Sequence, residues 1–121
     1  MANTFKTITF AAEPASAGTP YLMYTAASGT TTVVLGLILT NLHNAAVTVD
    51  VELVSDTANR NGANNVANGT SLLVKDVTIP SGSSLEILTG SKVVLETTDA
   101  IKVDCSVADK LSGTLSIMEI T

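Results

Sequence analysis

The sequence predicts an all-β protein: a single antiparallel β-sandwich of about eight strands, jelly-roll-like, preceded by an extended N-terminal arm. Three observations point there. Apolar residues recur every second position in short runs, with Gly, Pro, Asn or Asp between the runs at spacings of about ten residues. No stretch shows a helical period flanked by caps. Ser and Thr together make up 29 of 121 residues, and short or β-branched side chains dominate, which suits strands and turns. An immunoglobulin-like sandwich is the alternative, but its Cys–Trp–Cys signature is missing, since the chain has one Cys and no Trp.

Each element follows from its residues. Thr4–Phe10 alternates, with Lys6, Ile8 and Phe10 on one side and Phe5, Thr7 and Thr9 on the other. Residues 11–20 carry small side chains, two Pro and one Gly, the composition of an extended connector. We therefore divide the chain into an arm, 1–19, and a sandwich domain, 20–121. Tyr21–Ala26 reads as a strand ended by Ser28-Gly29. Residues 31–42 are apolar on both faces, as in a central strand covered on both sides. Val47–Leu53 alternates strictly, so Thr48, Asp50 and Glu52 face water. Residues 55–69 hold five Asn and two Gly and read as a long hairpin loop, prone to nicking because little burial opposes its backbone entropy. Leu72–Ile79, Leu85–Leu88 and Val93–Leu95 follow, separated by Pro80-Ser81-Gly82-Ser83 and Thr89-Gly90. Glu96–Asp99 and Asp109–Gly113 are turns around the last two strands, 100–107 and 114–120.

Composition excludes several function classes. A 121-residue chain with 45% apolar and 14% charged residues is long and apolar enough to build a core. Its net charge is −5, with six basic residues spread thinly, so a nucleic-acid partner is not expected. Single-strand binding also needs stacking aromatics, and none of the four aromatics lies beside a basic run. No window of eighteen apolar residues occurs, so no membrane partner is expected. The opening residues lack the charged and apolar regions of a secretion signal.

No catalytic or metal constellation emerges. His43 is the only His and Cys105 the only Cys, so neither has a partner of its own kind at ligand spacing. His43 reads as a loop residue at a strand end. Cys105 alternates with Ile101, Val103 and Val107 and reads as a small core residue. Carboxylates pair as Asp50 with Glu52, about 7 Å apart on one strand face by the strand rise, or as Asp99 with Asp104. Such separations occur in glycosidases, but a solvated polar face is the simpler account. Neither a nucleophile elbow nor a phosphate loop is present. The protein is expected to be no enzyme and to hold no cofactor or metal.

The aromatics carry the functional signal. Phe5, Phe10, Tyr21 and Tyr24 all lie in the first 24 residues, so the core must be Val, Leu and Ile. Each Phe left in water forgoes roughly 2 kcal/mol of burial. An arm with such anchors implies a partner surface, and Phe5, Ile8, Phe10, Tyr21 and Tyr24 are the candidate partner-binding residues. The competing account folds Thr4–Phe10 back as an edge strand of its own domain.

A resemblance narrows the partner. Met1-Ala2-Asn3-Thr4-Phe5-Lys6 and Ser116-Ile117-Met118-Glu119-Ile120-Thr121 are similar to the ends of small virion structural proteins of marine tailed bacteriophages of the cyanophage type. Val33–Asn41 resembles that family's apolar strand ending in Asn. Ile79-Pro80-Ser81-Gly82-Ser83-Ser84-Leu85-Glu86 resembles its turn. Val94–Val103 resembles its hairpin of Leu-Glu, acidic turn and Ile-Lys-Val. The likeness spans most of the chain apart from 55–69. It implies a virion component, made in the host cytoplasm and located on the capsid surface or tail. A capsid decoration (cement) protein fits first: it would bind the major capsid protein as a homotrimer and stabilise the shell. A tail, neck or fibre-associated sandwich is the alternative, and a carbohydrate-binding module a third reading.

Overall fold

The computed structural model describes residues 2–55, 69–87 and 92–121. Nine strands run in chain order: β1 (Asn3–Glu13), β2 (Tyr21–Thr25), β3 (Thr31–Asn41), β4 (Val47–Ser55), β5 (Gly69–Ile79), β6 (Ser84–Ile87), β7 (Val93–Leu95), β8 (Ala100–Cys105) and β9 (Leu111–Ile120). They form two antiparallel sheets. The first has the order β1-β9-β3-β6, with β7 also paired to β3, and the second the order β2-β8-β4-β5. The pairs β1·β9, β2·β8, β3·β6/β7 and β4·β5 are those of one long hairpin rolled up on itself, which is the jelly-roll topology.

The core forms where the inner faces of the sheets meet. Val34, Leu37, Leu39, Leu115 and Ile117 of the first sheet pack against Val49, Val51, Ile101, Val103 and Cys105 of the second. Cys105 is buried together with Ile101 and Val103, as its alternation predicts. Turn chemistry closes the corners. Gly82, at a φ of 71° that disfavours a side chain, lets the Ser83 N–H donate to Pro80 O at 3.1 Å. Asn41, fully buried at the end of β3, donates through Nδ2 to Ala45 O and Ile79 O, both at 2.9 Å, and accepts the His43 N–H at 2.7 Å. That amide ties the β3–β4 turn, and with it His43, to the end of β5.

Three expectations change. Residues 3–13 are not a detached arm. They are β1, a strand of the sandwich held in register with β9 from Asn3↔Ile120 to Phe10↔Gly113. The physical reason is β9: without β1, its buried Leu115 and Ile117 would lie at a sheet edge open to water. Second, β3 is central but covered on one side. Thr32, Val34, Leu37 and Leu39 point inward, while Val33 and Leu35 are half-buried and Ile38 exposed. Third, the 55–69 loop begins and ends in the ladder, because Ser55 faces Gly69. Its body, 56–68, lies outside the described residues, as do Leu88 and the Thr89-Gly90 turn.

Candidate docking surface

The structure separates the five candidate partner-binding residues. Phe10 is buried in its own core, with its ring centroid 5.0 Å from that of Tyr21. Ile8 and Tyr21 are half-buried against the same core. Phe10 is thus unavailable to a partner, a correction that follows from the β1–β9 register: Phe10 faces inward opposite Gly113, where the missing side chain leaves room for the ring. Tyr24 bridges the two sheets. Its hydroxyl donates to Glu119 Oε2 at 2.6 Å and accepts from Thr32 Oγ1 at 2.7 Å. Lys6 Nζ completes the cluster at 2.7 Å from Glu119 Oε1. Burial, followed by the Glu119 hydrogen bond, pushes the Tyr24 phenol up to about 12. Hydrogen bonds from Lys6 and Tyr24 hold the Glu119 carboxyl below its ordinary value.

Only Phe5 of the five is fully in solvent, at 71% exposure. Its neighbours make it part of a surface. Residues opposite each other in a ladder share a face. Phe5 lies opposite Met118, Met118 opposite Val33, and Val33 opposite Val94. These four form an apolar row across β1, β9, β3 and β7 on the outer face of the first sheet, with Val94 54% exposed at its far end. Beside the row, Leu35, Gly36, Ile38, Glu86, Thr114 and Ser116 line a hollow of about 150 Å³. The other outward positions of this face are mainly Ser and Thr, and Glu86 is its only charge among the described strand residues. Met118, Val33 and Val94 were missed by sequence reasoning. Alternation assigns each to a face of its own strand but does not say which strands are neighbours.

The outer face of the second sheet is mixed. Asp50 lies opposite Asp104, and Glu52 opposite Lys102, with the exposed Leu22 beside Lys102 and the exposed Leu72 beside Glu52. Asp50, Asp76 and Asp104 line a cleft of about 320 Å³ together with Gly18, Thr48 and Ser106. The oxygens of Asp50 and Asp104 serve the backbone, and Asp76 Oδ2 accepts from Lys75 Nζ at 3.1 Å. Asp50 Oδ1 accepts the Asp76 N–H at 2.6 Å, and Asp104 Oδ1 accepts those of Cys105 at 2.8 Å and Gly18 at 3.2 Å. Among the described residues no group of His, Cys, Asp and Glu is arranged to hold a metal ion. The other carboxylate pairing considered, Asp99 with Asp104, is not brought together: Asp99 is buried in the turn before β8, where its Oδ2 accepts the Glu96 N–H at 3.1 Å.

No protein-family model matches the chain, and no curated protein matches it. Solved structures do. The chain is similar to a chain of the T13 particle of infectious bursal disease virus, with a TM-score of 0.52 and 13% identity over 97% of this chain and 30% of that one. It is similar to a chain of the Gx strain of the same virus, with a TM-score of 0.51 and 15% identity over 98% and 33%. A chain from Bacillus endospore appendages, which form disulfide-linked pili, has a TM-score of 0.46 and 14% identity over 99% and 87%. This chain spans about a third of the length of the two viral chains. What it shares with those two chains is the fold, an antiparallel β-sandwich.

Proposed function

We propose that the chain is a non-enzymatic virion structural protein, a capsid decoration protein that docks the outer face of its first sheet on the major capsid protein. One observation carries the reading: only the first outer face joins its apolar residues into a row. There Phe5, Met118, Val33 and Val94 run on without a break amid Ser and Thr with one charge, whereas on the second face the exposed Leu22 and Leu72 are separated by Lys102 and Glu52 and lie beside Asp50 and Asp104. An apolar row with a polar surround gains free energy when it is covered, whereas the charges of the second face are better left in water. Similarity of fold to two chains of a viral particle and the resemblance to phage virion proteins support the same reading. Docked as trimers, the protein would add buried area across the joints between capsomers and so resist pressure from packaged DNA.

Quantitative mass spectrometry of purified particles of the encoding phage tests this. A decoration protein is expected in copies on the order of hundreds per particle, following the symmetry of the shell, whereas tens or fewer favour the tail, neck or fibre reading. Val94→Asp, on an exposed position, should release the protein from the shell while leaving its fold intact. Unchanged occupancy of that variant would remove the assigned face from the proposal.

A further inference from the structure

We infer that the open edge of β1 is where two copies of this chain pair, antiparallel about a two-fold axis, to merge their first sheets into one. This goes beyond the virion reading and does not depend on it. The two sheets end in four edges, at β1, β6 with β7, β2 and β5. An unpaired edge strand presents free N–H and C=O groups, and proteins ordinarily blunt such edges. Here three are blunted. β2 has five residues and a register shift between Leu22 and Tyr24. β6 and β7 have four and three residues and share one partner strand. β5 is long, but its register with β4 shifts twice and Asp76 sits at a φ of 50°. Among the described strands, β1 combines eleven residues with an unbroken register from Asn3 to Phe10, and the charge within that span, Lys6, is held by Glu119.

The ladder pattern shows which groups are free. Ala2 and Thr121 exchange both backbone hydrogen bonds, at 3.3 and 3.0 Å. In an antiparallel ladder such pairs alternate. Thr4, Lys6, Ile8 and Phe10 therefore direct their N–H and C=O toward β9, and Asn3, Phe5, Thr7 and Thr9 direct theirs to the open edge. The same four carry their side chains on the outer face, away from the core. A second β1 running antiparallel satisfies this set with an identical one, which is the condition for an isologous interface. The row supplies the reason for a second copy and not an unrelated peptide. Val94, Val33, Met118 and Phe5 run to β1 and stop at its edge, where Phe5 is 71% exposed. A two-fold at Phe5 to Thr7 continues the row into the partner's own Phe5, Met118, Val33 and Val94. It covers the Phe5 ring, which a bare strand added at the edge would leave partly open.

The test uses the full chain in solution. Sedimentation equilibrium should show a concentration-dependent dimer. Thr7→Pro removes an N–H that β9 does not use, at a position where an edge strand tolerates proline. It should weaken dimerisation by about tenfold or more. Phe5→Lys, at an exposed site, should do the same, and the circular dichroism of both variants should match that of the parent. Amide exchange gives the residue-level readout. In the dimer, Phe5, Thr7 and Thr9 should exchange slowly, and on dilution they should become fast while Lys6 and Ile8 stay protected. A chain that remains monomeric at high concentration overturns the inference. So does a dimer in which those edge amides exchange fast, or one that survives Thr7→Pro with unchanged affinity. None of these outcomes bears on copy number in the particle, so this inference and the virion reading fail separately.

Discussion

The ring of Phe10 occupies the space that a side chain on Gly113 would fill. The two residues face each other across β1 and β9, and a Cβ built on Gly113 would run into Cε2 of the ring and lie 2.7 Å from Cζ. An aromatic covering a glycine across a ladder restores the contacts the glycine lacks. This pair fastens β1 to the sandwich and turns what reads as an arm into a strand.

Gly113→Ala should therefore destabilise the fold. Its backbone does not need glycine's freedom, since Gly113 is not among the positive-φ residues, so the cost is steric: about 1–3 kcal/mol for overpacking a buried site. Adding Phe10→Leu, which lacks the outer ring atoms, should recover part of the loss. Urea denaturation of the two single variants and the double variant would show this as a coupling energy, and strict additivity would refute the contact.

The Tyr24–Glu119–Lys6 cluster predicts an alkaline limit. The folded-state value of Tyr24 is raised to about 12 from an ordinary 10.0. A raised value means that its contribution to stability is complete below pH 10 and is lost as pH rises from there through about 12. Tyr24→Phe should cost about 1 kcal/mol near neutrality, through its lost hydrogen bonds. It should also flatten the alkaline fall measured by urea midpoints. For Glu119 the sign is opposite. Its lowered value makes its contribution complete above the ordinary carboxylate range and lost as pH falls through it.

Asn41 should be sensitive out of proportion to its size. Its buried amide makes three hydrogen bonds to backbone groups, and Asn41→Ala leaves those groups unpaired. A loss of about 1–3 kcal/mol is expected, most of it from Ile79 O, whose bond is the buried one of the three. Thermal melts would measure it. A shift no larger than that of a surface substitution would mean that water replaces the amide.

Cys105 should be slow to react while the protein is folded. Burial pushes its thiol up, and the nucleophile is the thiolate. Ellman's reagent should label it slowly in buffer and rapidly in denaturant. Fast labelling in buffer would place the side chain on the outer face of β8.

Asp50 and Asp104 lie directly opposite each other, and like charges so placed repel. Asp50→Asn keeps an acceptor for the Asp76 N–H and removes the repulsion. It should raise stability by several tenths of a kcal/mol at low salt, and the gain should shrink as salt screens the pair. A loss of stability would show that the carboxylate charge itself holds the backbone of β5 at Asp76.

Local pattern in the chain shows where most strands lie and which way most side chains face. Alternation at Val47–Leu53 and Ile101–Val107 and turn chemistry at Ser28-Gly29 and Pro80–Ser83 are local signals, read without knowing any neighbour. The chain's own residues thus located the body of most strands and turned Cys105 inward, although β1 reads as an arm and β9 begins at Leu111, inside a stretch that reads as a turn. The tertiary structure alone decided what those strands meet. Gly113 is ordinary until Phe10, about a hundred positions away, is laid over it. Asp104 is a surface carboxylate until β4 brings Asp50 opposite. Phe5 is a stray aromatic until Met118, Val33 and Val94 line up with it from three other strands. These relations depend on long-range ladder register, set by burying the inner faces of both sheets together. Local pattern carries the period of each strand, but only packing the two faces against each other selects the partners.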